Sequence, residues 1–123
     1  MVNQMKKTVV LGASDNPTRY SNLAVNRLID HHHPVVAIGK KTGFIGDVQI
    51  TNTRGAFNDI DTITLYLNKQ HQKDYYDYIF SLNPKRIIFN PGTENEELAA
   101  LAEARGIDAI EACTLVMLAT GQY

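Results

Sequence analysis

Short apolar runs alternate with amphipathic segments along the whole chain. The apolar runs are rich in β-branched residues and stop at glycine or at polar residues, which is typical of buried strands. We predict these strands over residues 8–11, 35–38, 61–67, 85–89 and 107–110, with a shorter one near 48–50. Residues 40–46, which contain two glycines, are predicted to form a loop.

The segments between the strands carry apolar residues at helical spacing. We predict helices from about 21 to 32, around 75–80, from 93 to 105 and over 114–120. Ser21 or Asn22 is available to cap the first of them. Thr93 and Glu96 have the spacing of a capping box, and Gly106 is placed to end that helix. The apolar residues of the closing helix, 115–118, could cover the sheet of the chain itself or of a neighbouring copy, and we expect the former.

The order of these elements defines the fold class. Strand and helix alternate from end to end, and the strands show no clean alternation of apolar and polar positions. Both properties are typical of a mostly parallel sheet that is covered on both faces. The sequence therefore predicts a doubly wound α/β fold with about five strands and helices on both faces.

Composition and charge exclude several classes of protein and of binding partner. The chain has 123 residues, 44% hydrophobic and 20% charged, and its formal charge is −1, so we expect one folded domain. Near-neutrality argues against binding to bulk nucleic acid or to an anionic membrane surface. Cys113 is the single cysteine, which excludes an internal disulfide. The apolar part of the start, residues 1–11, is too short for a signal peptide, and the expected location is the cytoplasm.

Candidate binding residues lie where the predicted strands end. In an open parallel sheet, ligands bind outside the carboxyl ends of the strands, near the switch in strand order. Four of these ends are small, polar or glycine-bearing: Gly12–Ser14, Gly39–Lys41, Tyr66–Asn68 and Asn90–Thr93.

The first strand end has some features of a phosphate-binding turn. It keeps only the first glycine of a G-x-G-x-x-G pattern, Gly12. A tight turn there would direct the backbone amides of residues 13–16 and the start of the first helix towards an anion. Ser14 and Asn16 add polar side chains, and Arg19 adds a cation for a phosphate. The alternative is that these are ordinary turn residues after a strand.

The second strand end indicates the kind of nucleotide. An NAD site usually places an acidic residue there to hold the ribose hydroxyls, whereas this chain has Lys40 and Lys41. Two cations favour a ribose with an extra phosphate, as in NADP or coenzyme A. The alternative is a solvated lysine pair on a loop.

The third helix is a poor phosphate site. Glu94, Glu96 and Glu97 open it, so carboxylates already complement its dipole and repel a phosphate. A pyrophosphate should therefore bind at the first helix. The loop at Asn90 is then left to contact a neutral part of the ligand.

Other chemistry-bearing residues are expected to be structural. His31, His32 and His33 end the first helix, where a cation complements the dipole, and adjacent residues point in different directions rather than to one metal ion. Cys113 is expected to be packed. The tyrosines at 75, 76 and 78 are expected to serve core packing rather than base stacking. We find no catalytic motif and predict no catalytic or metal-binding residue.

Taken together, these residues carry a family resemblance. The stretch 12–22, the strand ending at Gly39-Lys40, and the stretch 90–106 followed by Cys113 resemble the small stand-alone CoA-binding domain proteins. These proteins are similar to the nucleotide-binding domain of the succinyl-CoA synthetase alpha subunit. The resemblance covers nearly the whole chain, although residues 42–59 match poorly.

The resemblance implies a Rossmann-like fold and a single CoA-binding domain over residues 1–123, with no established reaction. The contacts that it implies are Gly12, Ala13, Ser14, Asn16, Arg19, Ser21, Asn22, Gly39, Lys40, Lys41, Tyr66, Leu67, Asn68, Asn90, Pro91, Gly92 and Thr93. The expected ligand is coenzyme A or an acyl-CoA, bound without catalysis. Two alternatives stay open: an NADP-dependent oxidoreductase, and a regulatory or interaction module of the same fold without a ligand. The sequence names no protein partner.

Overall fold

The computed structural model describes residues 5–123. Residues 1–4 lie outside the described part of the chain, and with them the first part of the segment that is predicted to be too short for a signal peptide. The strands are β1 Thr8–Leu11, β2 Val35–Ile38, β3 Gly43–Ile45, β4 Val48–Thr51, β5 Thr62–Leu65, β6 Arg86–Phe89 and β7 Asp108–Glu111. The helices are α1 Tyr20–Asp30, α2 Lys69–Gln72, α3 Tyr76–Ser81, α4 Glu96–Ala104 and α5 Thr114–Ala119, with a 3₁₀ turn at Lys73–Tyr75. No helix between residues 5 and 123 is long and apolar enough to cross a membrane.

All of these strands join one sheet in the order β3-β4-β2-β1-β5-β6-β7. Strand β1 lies at its centre and pairs in parallel with β2 on one side and with β5 on the other. Only the hairpin of β3 and β4 is antiparallel. The chain therefore reverses its winding direction beside β1, and this is the switch point of a Rossmann-like sheet.

The predicted parallel α/β sheet is confirmed, but the strand count of about five is too low, because the sheet has seven strands. Strand β3 lies inside the segment that was predicted to be a loop. It has only three residues and begins with glycine, so it carries no readable periodicity. The hairpin itself forms because the two-residue turn contains Gly46, whose φ of 58° suits a tight turn between twisted strands.

Each face of the sheet packs under its own helices. Val9, Ile63 and Ile87 face α3 and α4, whereas the next residues along the strands face α1 and α5. Leu118 of α5 is buried in the second layer, so the closing helix does cover its own sheet, although Val116 stays 57% exposed.

Two predicted helix starts are wrong. Helix α1 begins at Tyr20, and the capping position is held by Arg19 without a side-chain hydrogen bond, so neither Ser21 nor Asn22 caps it. In α4 the cap is Asn95, whose side chain accepts a hydrogen bond from the Leu98 amide at 3.1 Å.

The Thr93 hydroxyl turns away from α4. It donates to the Asn90 carbonyl at 2.8 Å, because the preceding loop folds back on the end of β6. The predicted capping box of Thr93 and Glu96 therefore does not form.

Candidate functional site

The carboxyl ends of four neighbouring strands form a continuous row. The strand order β2-β1-β5-β6 places Gly39, Gly12, Tyr66 and Asn90 side by side at one edge, about 4.8 Å from strand to strand. The Ile38 carbonyl accepts hydrogen bonds from the amides of Gly12 at 2.8 Å and Ala13 at 2.9 Å, and the Tyr66 amide donates to the Leu11 carbonyl at 2.8 Å. The structure thus brings together the four strand ends that the sequence selected.

Two glycines allow this close approach. A Cβ atom on Gly39 would overlap the Ala13 carbonyl oxygen. Gly12 has a φ of 101°, and a Cβ there would lie 2.8 Å from the Tyr66 carbonyl carbon. Both neighbours are backbone atoms, which cannot rotate away. The turn after β1 therefore depends on glycine both within it and beside it.

The turn after β1 is organised by its own side chains. The Asn16 amide donates to Ser14 Oγ at 3.1 Å, while Asn16 Oδ1 accepts from both the amide and the hydroxyl of Thr18. Asn22 is buried inside α1 and donates from Nδ2 to the Ser14 carbonyl at 3.0 Å. Asn22 therefore positions the turn, and Ser21 beside it is also buried.

The set of free amides differs from the predicted one. We expected residues 13–16 to offer their amides to an anion, but Ala13 and Asn16 donate within the chain. Among the described atoms, the amides that find no acceptor at this turn and helix start are those of Ser14, Asp15, Tyr20 and Ser21. Two come from the turn and two from the first residues of α1, so the helix start contributes as much as the turn.

Three cations adjoin this turn, either along the chain or through Gly39, which packs against Ala13. Arg19 precedes α1, and Lys40 and Lys41 follow Gly39; all three are exposed. The one salt bridge found within residues 5–123 joins Arg86 and Asp61 and involves none of them. The turn itself carries one opposing charge, Asp15, whose carboxylate lies beside β3: a Cβ on Gly43 would lie 2.9 Å from Asp15 Oδ2.

A buried glutamine joins the loops after β5 and β6, and sequence reasoning missed it. Gln72 is fully buried, and its Nε2 donates to the Leu67 carbonyl at 2.8 Å and to the Thr93 carbonyl at 2.7 Å. Its Oε1 accepts from Asn95 Nδ2 at 2.9 Å. The available signal was its spacing, since Gln72 precedes Tyr76 by four residues on the apolar stripe. Asn68 lies at the exposed start of α2 and caps it.

Asn90 is buried at the end of β6 and uses both ends of its amide. Nδ2 donates to Thr64 Oγ1 at 2.6 Å and to the Leu65 carbonyl at 2.9 Å, and Oδ1 accepts from the Thr114 amide at 2.9 Å. The side chain therefore joins β5, β6 and the start of α5. This arrangement leaves the exposed backbone of Pro91 and Gly92 as the open part of the loop.

In the loop after β6, the carboxylate of Glu94 accepts a hydrogen bond from the loop's own backbone. The Gly92 amide donates to Glu94 Oε1 at 2.9 Å, and the Thr93 amide donates to the Asn90 carbonyl at 2.9 Å. Since proline has no amide hydrogen, residues 91–93 present no free amide to an external anion. The stretch 91–93 is therefore a poor site for an external anion.

Tyr66 points its side chain into the protein. The ring packs against the layer under α1 and α5, and the hydroxyl is buried without a hydrogen-bond partner. Burial raises the pKa of this phenol to about 12, and the nearby Thr114 and Thr64 hydroxyls offset only part of the rise. These two hydroxyls are bonded to each other at 2.8 Å. Tyr66 can therefore contribute its backbone, but not its phenol, to the edge of the sheet.

The Tyr66→Phe variant should be more stable than the original protein by about 1 kcal/mol at pH 7, because a buried hydroxyl without a partner is lost.

The pKa of Tyr66 is raised from 10.0 to about 12, so between these pH values the unfolded chain loses this proton while the folded chain keeps it. Stability must therefore fall as pH rises through this window, and the variant should lose less of it. Urea unfolding at pH 7 and pH 11 tests both statements, with Tyr20→Phe as the exposed control. A less stable variant at pH 7 would contradict the first.

The histidines do not form a metal site. His31 Nδ1 lies 2.8 Å from the Arg27 carbonyl, whereas His33 Nδ1 accepts from the Lys6 amide at 2.9 Å. Burial, and then the nearby charges of His31, Lys6 and Arg86, lower the pKa of His33. Within residues 5–123 no group of histidine, cysteine, aspartate or glutamate side chains could hold a metal ion.

The tyrosines at 75, 76 and 78 all pack against the core on the α3 and α4 face, as predicted. Cys113 is partly buried at the position that precedes α5.

The sheet order, the switch point beside β1 and the glycine-bearing turn place this chain among the Rossmann-like α/β proteins. A family model described as CoA binding domain matches residues 6–119, and the chain belongs to that family. The resemblance seen in the sequence is therefore confirmed.

Solved structures agree with this fold. A crystal structure of an uncharacterized protein is 48% identical, with a TM-score of 0.96 over 98% of this chain and 100% of that one. A hypothetical protein from Pyrococcus horikoshii OT3 is 20% identical, with a TM-score of 0.83 over 92% of this chain and 81% of that one. A protein from Thermus thermophilus is 15% identical, with a TM-score of 0.85 over 97% and 91%. No curated protein matches the sequence.

Proposed function

We propose that this chain is a single CoA-binding domain that holds coenzyme A, or an acyl-CoA, by its ADP and phosphate groups. The observation that carries the proposal is the turn after β1, where the amides of Ser14, Asp15, Tyr20 and Ser21 have no acceptor within residues 5–123. Arg19 follows this turn along the chain, and Lys40 and Lys41 follow Gly39, which packs against the Ala13 carbonyl. Amides at a helix start and charged donors are the groups that bind a diphosphate best. Family membership supports coenzyme A as the compound that carries this diphosphate.

In this proposal each strand end has its own part of the ligand. The diphosphate lies at the turn after β1 and the start of α1, with Arg19 as its charge partner. Lys40 and Lys41 bind the phosphate on the ribose, because they follow β2, the strand next to β1. The backbone of residues 66–68 and 90–93 then lies along the neutral pantetheine arm. Likeness to the succinyl-CoA synthetase alpha subunit and location in the cytoplasm stay predictions.

Titration calorimetry with CoA and with dephospho-CoA, which lacks the ribose phosphate, tests the assignment. We expect the double variant Lys40→Ala/Lys41→Ala to weaken CoA binding by about tenfold, the size of one or two exposed charge contacts. Its affinity for dephospho-CoA should change little. Lys7→Ala/Lys85→Ala removes the same charge at the amino ends of β1 and β6, the opposite edge of the sheet, and serves as the control.

Each outcome of this titration has a definite meaning. If the original protein binds neither compound, the proposed function is wrong. If CoA and dephospho-CoA bind equally, the role of the two lysines is wrong. NADP is included as a competitor, and tighter binding of NADP than of CoA would favour the oxidoreductase alternative.

We also propose that the chain binds its ligand without transforming it. Besides backbone amides, buried amide side chains and exposed cations, the strand ends carry the Ser14 hydroxyl and the Asp15 and Glu94 carboxylates. Ser14 Oγ accepts from the Asn16 amide and Glu94 Oε1 from the Gly92 amide, so neither is paired as a nucleophile with a neighbouring base. Chromatography of CoA and acetyl-CoA after incubation with the protein should recover both compounds unchanged. Protein-dependent release of acetate or free CoA would contradict this statement.

A further inference from the structure

The loop after β6 carries a property that CoA binding alone does not require. Among residues 91–93 the one exposed amide, that of Gly92, already donates to the carboxylate of Glu94 in the same loop at 2.9 Å. Gly92 is exposed, and a Cβ atom placed on it would meet nothing within 4 Å. The Glu94 carboxylate thus lies at an open part of the ligand edge and fills the place that a ligand carboxylate would take.

The strand order determines which part of the ligand reaches this loop. With the ribose phosphate at the end of β2 and the diphosphate at the end of β1, the pantetheine arm continues past β5 towards β6. Strand β6 lies two strands from β1, about 10 Å away, which an extended pantetheine arm can span. The end of the arm, which carries the thiol or its acyl group, therefore comes to residues 90–94.

Contacts between the loops support this path. One nitrogen, Gln72 Nε2, donates to carbonyls of both Leu67 and Thr93, so the loops after β5 and β6 are held together. A pantetheine arm that contacts the loop after β5 can therefore contact the loop after β6 as well.

We infer that Glu94 is a specificity-determining residue, which makes this site favour free CoA and thioesters of uncharged acyl groups over thioesters that carry a second carboxylate. This inference rests on the proposed function. A dicarboxylic acyl group would bring its negative charge beside Glu94 and would find the Gly92 amide occupied. An uncharged acyl group meets neither obstacle.

Glu94 is distinct from two other acidic residues of the segment, Glu97 and Glu103. Glu97 accepts a hydrogen bond from the Tyr76 hydroxyl at 3.0 Å and is thereby directed to the α3 side. Glu103 lies in the last turn of α4, at the opposite end of that helix. Glu94 therefore differs from both in contacting the backbone of the ligand edge.

The test compares butyryl-CoA with succinyl-CoA, whose acyl chains have equal length and differ in a terminal methyl or carboxylate. The original protein should bind butyryl-CoA about fivefold more tightly, the size of a water-screened repulsion between two charges roughly 4 Å apart. Glu94→Gln keeps a hydrogen-bond acceptor and removes the charge, so the two affinities should become nearly equal. Glu94→Ala also frees the Gly92 amide, and succinyl-CoA should then bind at least as well as butyryl-CoA.

Glu103→Gln makes the same charge change far from the loop and should leave the preference at about fivefold. Equal affinities of the original protein for both thioesters, or an equal effect of Glu103→Gln and Glu94→Gln, would overturn the inference. If CoA itself and both thioesters fail to bind, the proposed function fails, and this inference fails with it. If CoA binds but the thioesters are not distinguished, only the inference fails.

Discussion

Replacement of Gly39 by alanine is expected to lower the free energy of unfolding by about 2–3 kcal/mol and to weaken CoA binding by at least tenfold. The added Cβ atom would overlap the Ala13 carbonyl oxygen and would also lie 3.2 Å from Ile50 Cγ2. Because the Ala13 carbonyl belongs to the turn after β1, relief of the overlap must displace that turn. The free amides of Ser14 and Asp15 would move with it.

Gly55→Ala is the matched control for this change. Neither glycine has a positive φ, so the two substitutions differ mainly in what the new methyl group meets. At Gly55 it would meet only ring atoms of Phe57, at 3.1 Å, and this ring can shift. We expect a change below about 1 kcal/mol there. Thermal unfolding and calorimetry with CoA measure both effects, and equal results for the two variants would show that the approach of Gly39 to Ala13 is unimportant.

The layout of the sheet can be predicted from the sequence because most strands are recognisable from their own residues. Thr8–Leu11 and Arg86–Phe89 are short apolar runs that stop at Gly12 and Asn90, and the structure ends both strands there. The strand ends could be selected for the same reason. Their meeting at one edge follows from parallel pairing, which is a property of the whole fold class rather than of one residue.

The helix starts could not be predicted in this way because several side chains compete for the same role. Near α4, Thr93, Asn95 and Glu96 all have types that occur at caps. Asn95 caps the helix, since the Asn90 carbonyl already holds the Thr93 hydroxyl. That carbonyl lies in the preceding loop, so helical spacing alone does not reveal the competition.

The sequence also could not show which amides of the site are free to bind a ligand. A turn of the type Gly-Ala-Ser-Asp-Asn suggests several free amides, but Ser14 Oγ takes the Asn16 amide and Ile38 takes that of Ala13. Likewise, Tyr66 was selected by its position after β5, yet its phenol turns into the core. Its assignment as a ligand contact stays a prediction that now concerns its backbone alone.

Asn90→Leu should be the most damaging single change within the row of strand ends, with a loss of about 3–5 kcal/mol in the free energy of unfolding. Leucine has a similar volume but leaves the Thr114 amide and the Leu65 carbonyl buried without partners, each at a cost of about 1–3 kcal/mol. CoA binding should weaken as well, because the loop that begins at Asn90 loses its attachment to β5 and α5.

A second substitution separates packing from hydrogen bonding at this position. Asn90→Asp keeps the acceptor for the Thr114 amide but replaces the donor to the Leu65 carbonyl with an oxygen. Burial disfavours the charged carboxylate and raises its pKa, so the loss of stability should be large at neutral pH and should shrink as the pH falls and the group becomes protonated. Urea unfolding of both variants from neutral to acidic pH measures this, with the exposed Asn52→Leu as a control expected to change stability by less than about 0.5 kcal/mol. A loss for Asn90→Asp that does not depend on pH would show that the amide donor is not what stabilises the loop.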